Sequence, residues 1–192
     1  MVLTRLGDGC FRLQSGETSI LLNPDNNRFK GDIVLRTIVS ASTPLAEGQE
    51  VTLISFPGEY EIKGIEIVGF QIPAESTEKF VKTAYVVTWE EMKFVLLGHL
   101  SQPIDASLME EFAEPDVLIL PAAGGHFLEP NVAAKIAKQL EATVVIPSFV
   151  KDPADFLKAL GKKAEVMDKF VFKKKDLMGE KQRPVILADS GK

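Results

Sequence analysis

The hydrophobic pattern of this chain changes period near residue 105, and that change restricts the fold more than any single motif. Before it, apolar residues come in short runs separated by turn formers. Residues 10–13 and 19–22 read as strands around a turn at Gly16-Glu17, and Asn23-Pro24 with Asp25-Asn26-Asn27 ends the second. Residues 32–37 and 51–55 are apolar enough for buried strands, and Pro57-Gly58 marks a turn. Residues 59–70 alternate, with Tyr60, Ile62, Ile65 and Ile67 interrupted by Glu61, Lys63, Gly64 and Glu66, which predicts two short strands hinged at Lys63-Gly64. Residues 83–89 and 93–97 form a hairpin through Glu90-Glu91.

After residue 105 the period is that of helices alternating with strands. Asp105 caps a short helix carrying Leu108, Met109 and Phe112 on one face. Residues 116–120 are a continuous apolar strand between Pro115 and Pro121, and Gly124-Gly125 turns the chain. A helix from about Asn131 places Val132, Ile136 and Leu140 on one stripe, with Ala133 and Ala137 beside them. Residues 143–146 form a buried strand. Asp152-Pro153 starts a helix with Phe156, Leu157 and Leu160, closed by Gly161, and residues 164–167, 169–172 and 184–188 end the chain as short strands. Antiparallel β segments followed by β-α-β alternation specify an α/β fold with helix-covered sheets, and residues 1–192 read as one domain.

Charge and composition narrow the function classes. With 27 acidic and 22 basic residues the net charge is −5, without the basic face of a nucleic-acid binder, and the Lys173-Lys174-Lys175 run reads as a solvated strand end. The single cysteine excludes an internal disulfide and fits a reducing compartment. The first residues lack a signal-peptide core, and no apolar run approaches the ~20 residues that span a bilayer. The expectation is a cytoplasmic protein without membrane or nucleic-acid partners.

Several collinear fragments carry a resemblance. They are Leu6-Gly7-Asp8-Gly9-Cys10-Phe11, Pro57-Gly58-Glu59-Tyr60-Glu61-Ile62-Lys63-Gly64, Leu97-Gly98-His99, Asp116-Val117-Leu118-Ile119-Leu120-Pro121 with Gly124-Gly125, and Val145-Ile146-Pro147-Ser148. In that order and spacing the chain resembles the small metallo-β-lactamase-fold hydrolases of the ascorbate-6-phosphate lactonase-like branch. The resemblance implies a four-layer αββα sandwich with a two-metal site at one edge of the sheets. It also implies which positions would hold the metals. Asp8 stands where Gly-His-Ser-Cys-Phe has its histidine. After Gly31-Asp32-Ile33-Val34, the positions of His-x-His-x-Asp-His fall on Ile38, Ser40, Ser42 and Thr43. A further histidine falls near Ala74, the bridging aspartate on Leu96 and the last histidine on Phe149.

None of these side chains is a histidine, and only Asp8 is a carboxylate. Two metals work by lowering the pKa of a bridging water and polarising substrate. Ile38, Leu96 and Phe149 would instead bring apolar bulk, worth about 1.5–3 kcal/mol per side chain on burial. The resemblance therefore implies a degenerate member with no metal, no cofactor and no catalytic residue.

The remaining candidates each carry two readings. His99 and His126, the only histidines, read as loop residues, His99 bonding backbone, or as ligand-facing groups together with Asp8. Asp8 with Ser40, Ser42 and Thr43 reads as a polar pocket floor, or as turn geometry in Gly7-Asp8-Gly9. Cys10 reads as a small buried hydrophobe rather than a nucleophile paired with a histidine. Glu59 and Tyr60 shape the turn after Pro57-Gly58.

Three functions follow. The main one is a non-catalytic protein that binds an unknown protein partner or itself through an apolar patch of Ile38, Leu96 and Phe149. The alternatives are a metal-dependent hydrolase of lactones or phosphoesters with a mononuclear site built from His99, His126, Asp8 and Asp105, and a small-molecule binder using the remnant pocket through Asp8, Ser40 and Ser42.

Overall fold

The computed structural model describes residues 1–43 and 52–191. The N-terminal strands are β1 (Val2–Arg5), β2 (Phe11–Ser15), β3 (Thr18–Leu22), β4 (Ile33–Leu35), β5 (Ile38–Ser40) and β6 (Thr52–Ile54). The predicted alternating segment is the hairpin β7 (Gly58–Ile62) and β8 (Ile65–Gln71), hinged at Lys63 (φ 54) and Gly64 (φ 73). A second hairpin follows: β9 (Phe80–Trp89), three residues longer at its start than the pattern predicts, and β10 (Met92–Leu96), with Glu90 and Glu91 both at positive φ. Then come α1 (Ala106–Glu111), β11 (Val117–Pro121), α2 (Pro130–Gln139), β12 (Val144–Ser148) and α3 (Ala154–Leu160). The chain ends in the short strands β13 (Val166–Met167), β14 (Phe170–Val171), β15 (Arg183–Pro184) and β16 (Ile186–Leu187).

Two sheets organise these elements, in the orders β14-β1-β2-β3-β4-β6 and β15-β12-β11-β10-β9-β8-β7, with β5 paired to β9 and β13 paired to β16. Antiparallel pairing dominates the first hairpins, whereas β10, β11 and β12 run parallel, as β-α-β alternation requires. The sheets face each other across one apolar cluster that includes Phe11, Leu13, Ile20, Ile33, Tyr85, Phe94, Ile119 and Ile146. The other face of the second sheet packs on all three helices through Val95, Leu118, Val145, Phe112, Ile136 and Phe156. That is why β11 and β12 are buried on both faces and read as continuous apolar runs. The α/β sandwich expected is the one that forms. Among the described residues, the outer face of the first sheet carries only a small cluster, Leu6, Cys10 and Leu21 with Phe29 and Val34.

Local signals set the helices. Asp105 caps α1 by accepting from Leu108 N, Pro130 opens α2, and Gly161 closes α3 in the left-handed region (φ 74). At α3 the cap moves one residue: Pro153 is the N-cap, and Asp152 accepts from Ala154 N. No helix among the described residues is long and apolar enough to cross a membrane.

Candidate functional site

A cleft of about 170 Å³ opens where the two sheets meet, beyond the C-terminal ends of β3, β4, β10 and β12. Loops leaving strand ends line it: Gly9, Asn23, Pro24, Asp25, Arg36, Ile38, His99 and Phe149. Ligands of open α/β sheets favour this edge, because side chains from several loops converge there.

His99 is the centre of its polar wall. Thr37 Oγ1 lies 2.7 Å from His99 Nδ1. Asn23 holds Thr37 in turn: Asn23 Nδ2 donates to Thr37 Oγ1 at 2.9 Å, and Thr37 N donates to Asn23 Oδ1 at 2.9 Å. Thr37 Oγ1 also donates to Asn23 Oδ1 at 3.1 Å, an oxygen that accepts from the Thr37 amide as well. The contact with His99 Nδ1 fixes the position of the ring and is compatible with either neutral tautomer, while Nε2 has no protein partner among the described residues. Burial and, secondly, the nearby Lys82 ammonium hold the His99 pKa down at about 4, so the ring is neutral at pH 7. Gly98 makes the contact possible: its φ is +55, and a Cβ there would sit 2.1 Å from Thr37 Oγ1.

The loop carrying His99 is fixed from below by a buried ion pair. Glu75, with only 4% of its side chain exposed, meets Lys82 at 2.6 Å, and Lys82 Nζ also donates to the His99 carbonyl at 2.7 Å. The same carboxylate accepts from Ser101 N, Ser101 Oγ and Gln102 N. Burial pushes the Glu75 pKa up, but the donors from Lys82, Ser101 and Gln102 outweigh it and the net shift is down.

The apolar wall is aromatic. Phe149 stacks on Phe127 with centroids 4.1 Å apart and lies 4.9 Å from the His99 ring. Its backbone sits at φ +61, an uncommon conformation for a bulky residue, held by Phe149 N donating to Asp8 O at 2.7 Å. Gly9 leaves room for the ring, since a Cβ there would fall 2.1 Å from Phe149 Cζ.

Several expectations fail against this geometry. Asp8 is not in the cleft with Ser40, Ser42 and Thr43. Its side chain is 66% exposed, reaches Arg5 at 3.4 Å, and lines a separate groove with Val150, Lys151 and Asp189. Ser40 Oγ bonds Ser42 Oγ instead, and Thr43 N donates to Ser40 O, a local turn that none of the three shares with the cleft. Leu96 faces the inter-sheet core at 5% exposure, and Phe149 is packed on rings. Leu96 is thus separated from Ile38 and Phe149, which are half-buried and line the cleft, so the three do not form one exposed patch. His99 bonds a side chain rather than backbone. His126 is exposed and not part of the cleft. Ala74 is exposed on the 3-10 turn Pro73–Glu75, and the useful residue there is its neighbour Glu75. Asp105 is occupied in capping α1. Cys10 is fully buried, and burial, with Asp25 adding to it, pushes its thiol up to about 12, so it packs as a hydrophobe. Tyr60 donates to Phe56 O at 3.0 Å, shaping the turn at Pro57-Gly58.

Sequence reasoning missed Asn23, Asp25, Arg36, Thr37 and Glu75. Asn23 and Asp25 read as turn formers, and nothing local marks Arg36 or Thr37 at the end of an apolar strand.

The donor set can be tested against the metal pair that the resemblance implies. A catalytic zinc takes three protein ligands and an open position. The cleft offers one imidazole, its Nδ1 engaged by Thr37, and the Asp25 carboxylate. Among the described residues no three His, Cys, Asp or Glu side chains converge. These residues do not fit such a centre. What they can do is bind: a guanidinium, a carboxylate, an amide and a neutral imidazole N–H line a cleft with an aromatic wall.

Comparison with known proteins gives the lineage. Residues 2–148 match the family model described as the beta-lactamase superfamily domain. The chain is 29% identical over 145 residues to a UPF0173 metal-dependent hydrolase of Methanopyrus kandleri and 32% identical over 124 residues to one of Thermococcus onnurineus. These alignments cover 64% and 57% of this chain but only 62% and 54% of the relatives. A Thermotoga maritima crystal structure, a candidate Zn-dependent hydrolase of the metallo-β-lactamase superfamily, superposes with a TM-score of 0.80 at 26% identity, covering 97% of each chain. With the family model covering most of its length, this chain belongs to the beta-lactamase superfamily domain family and has the metallo-β-lactamase fold.

Proposed function

We propose that this chain binds a small polar molecule in the cleft beside His99, using the fold of a hydrolase family with a remodelled site, and that residues 1–192 do so as one domain. The observation that carries this reading is the cleft itself. It stays open although Leu96 has joined the core, and Arg36, Asp25 and the unengaged Nε2 of His99 line it. Groups kept for packing alone would be paired or covered.

The reading as a partner-binding or self-assembling protein is less supported, because Leu96 is buried in the inter-sheet core and Ile38 and Phe149 line a cleft rather than a patch shared with it. A second reading, hydrolysis at a mononuclear metal site, is favoured by the relatives, two of which are named metal-dependent hydrolases. The donor set of this chain weighs against it.

Elemental analysis of the purified chain, combined with NMR observation of the two histidine rings during a small-molecule screen, separates the two. The binding reading expects ligands that move the His99 ring signals and are insensitive to a chelator. Near-stoichiometric zinc, iron or manganese with hydrolysis abolished by chelation would replace it with the second reading.

A further inference from the structure

The cleft holds one cation and one anion that do not neutralise each other. Ion pairs among the described residues join Arg5 to Asp8, Asp32 to Lys63, Glu75 to Lys82, Asp116 to Lys174 and Glu180 to Arg183. Arg36 and Asp25 belong to none of them, yet both line the cleft, together with Asn23 and His99. A cleft lined by one cation and one anion is complementary to a ligand with a charge of each sign: a carboxylate for the Arg36 fork and an ammonium for Asp25.

The remaining wall narrows the class. It includes the apolar side chains of Ile38 and Phe149, which suit a short aliphatic side chain rather than a charged one. A doubly charged phosphate ester would meet Asp25 with like charge, and a cationic ligand would meet Arg36. Building on the reading of the cleft as a small-molecule site, we propose that it takes a small zwitterion of the free α-amino acid class, with its carboxylate on Arg36 and its ammonium on Asp25, beside the His99 ring.

The test uses the full chain, with the His99 ring signals as the reporter and those of His126 as the internal control. L-Alanine is expected to shift His99 saturably and leave His126 in place. Lactate and N-acetylalanine, which lack the ammonium, and alaninamide, which lacks the carboxylate, should each bind at least about tenfold more weakly, as should alanine to Arg36→Gln and to Asp25→Asn. Asp25 is exposed, so its variant keeps the fold, and the amide and N-acetyl ligands probe the same two contacts in the unaltered protein. Lactate binding as well as alanine, or alanine binding unchanged in either variant, overturns the zwitterion assignment. If lactate or a phosphate ester moves His99 and alanine does not, the assignment falls and the cleft reading stands. If no small molecule moves His99, both fall.

Discussion

Two neighbouring loops of this molecule each carry a histidine, and they are held in opposite ways. The loop after β10, residues 97–105, is tied to distant parts of the chain. Glu75 takes its amides, Lys82 takes the His99 carbonyl, and Thr37 takes the imidazole. The loop after β11, residues 122–129, is held largely by itself. Gly124 N bonds Leu128 O, Phe127 N bonds Gly124 O, and Gly125 N bonds the Glu129 side chain. One backbone bond, from Leu128 N to Leu100 O, joins the two. The difference shows what makes a histidine a site. His99 acquires a fixed position and a low pKa from burial and long-range partners; His126, in a loop closed by local turns, remains an exposed side chain.

The comparison breaks most visibly at Glu75. Glu75→Ala would leave Lys82, 17% exposed, without its counter-charge and the Ser101 and Gln102 amides without an acceptor. Breaking a buried pair from one side costs about 3–5 kcal/mol. Chemical denaturation should show a loss in that range, with the His99 ring signals displaced before global unfolding. A loss under 1 kcal/mol would mean that the loop is not held from below.

The glycines of the two loops give the next contrast. Gly98→Ala strains a positive φ and drives a methyl into Thr37, whereas Gly125→Ala, at φ +65, strains the backbone but meets nothing within 4 Å. The left-handed strain alone is roughly 1–2 kcal/mol, which is all that Gly125→Ala should lose. Gly98→Ala should lose about 3 kcal/mol or more as overpacking adds to the strain, and the Thr37–His99 bond with it. Equal losses in thermal denaturation would remove the distinction between the loops.

How much of this was legible follows the same division. The helix periods, most strand periods, the hinge at Lys63-Gly64, the Asp105 cap and the Gly161 stop are local signals and appear where the pattern puts them, whereas β1 and β5 are not read from the pattern and β9 begins three residues earlier. The site is held by contacts between residues 14 to 141 positions apart: Asn23 with Thr37, Thr37 with His99, and the Asp8 carbonyl with Phe149 N. No window of sequence contains such a set. Asn23 looked like a strand stop, and it is one, at φ 45; that it also orients a histidine through Thr37 depends on the β3–β4 pairing. Asp8 carried two readings, pocket floor and turn geometry, and its side chain lies with Arg5 in the separate groove, while its carbonyl accepts from Phe149 N. The resemblance located the fold correctly because collinear fragments constrain topology. It said less about the site, where a single rotation at a strand end decides what a side chain faces.

Protonation sharpens the comparison further. His99 has a folded pKa of about 4, below its ordinary value of 6.5, so the unfolded chain binds the proton more tightly. Its contribution is complete above pH 6.5 and is lost as the pH falls toward 4, an effect of at most about 3 kcal/mol by proton linkage. Glu75, whose pKa is also lowered in the fold, acts in the same direction at still lower pH. Stability measured from pH 7 to pH 4 should fall, and His99→Gln should flatten the upper part of that curve. A histidine titration by NMR that places His99 near 6.5 would contradict the burial that holds its pKa down.

The smallest effect tests the other loop. Glu129 accepts a 3.2 Å bond from Gly125 N, but the carboxylate is exposed and the bond spans four residues. Water can replace such an acceptor, so Glu129→Ala should lose no more than about 0.5–1 kcal/mol, several times less than Glu75→Ala. The His99 ring should not notice: its partners reach it from β9, from the end of β4 and from Asn23, and Glu129 touches none of them. If Glu129→Ala shifts the His99 signals as far as Glu75→Ala does, the two loops behave as one unit coupled through the Leu128–Leu100 bond and the stacked rings of Phe127 and Phe149. The cleft would then be governed from both sides rather than anchored from one.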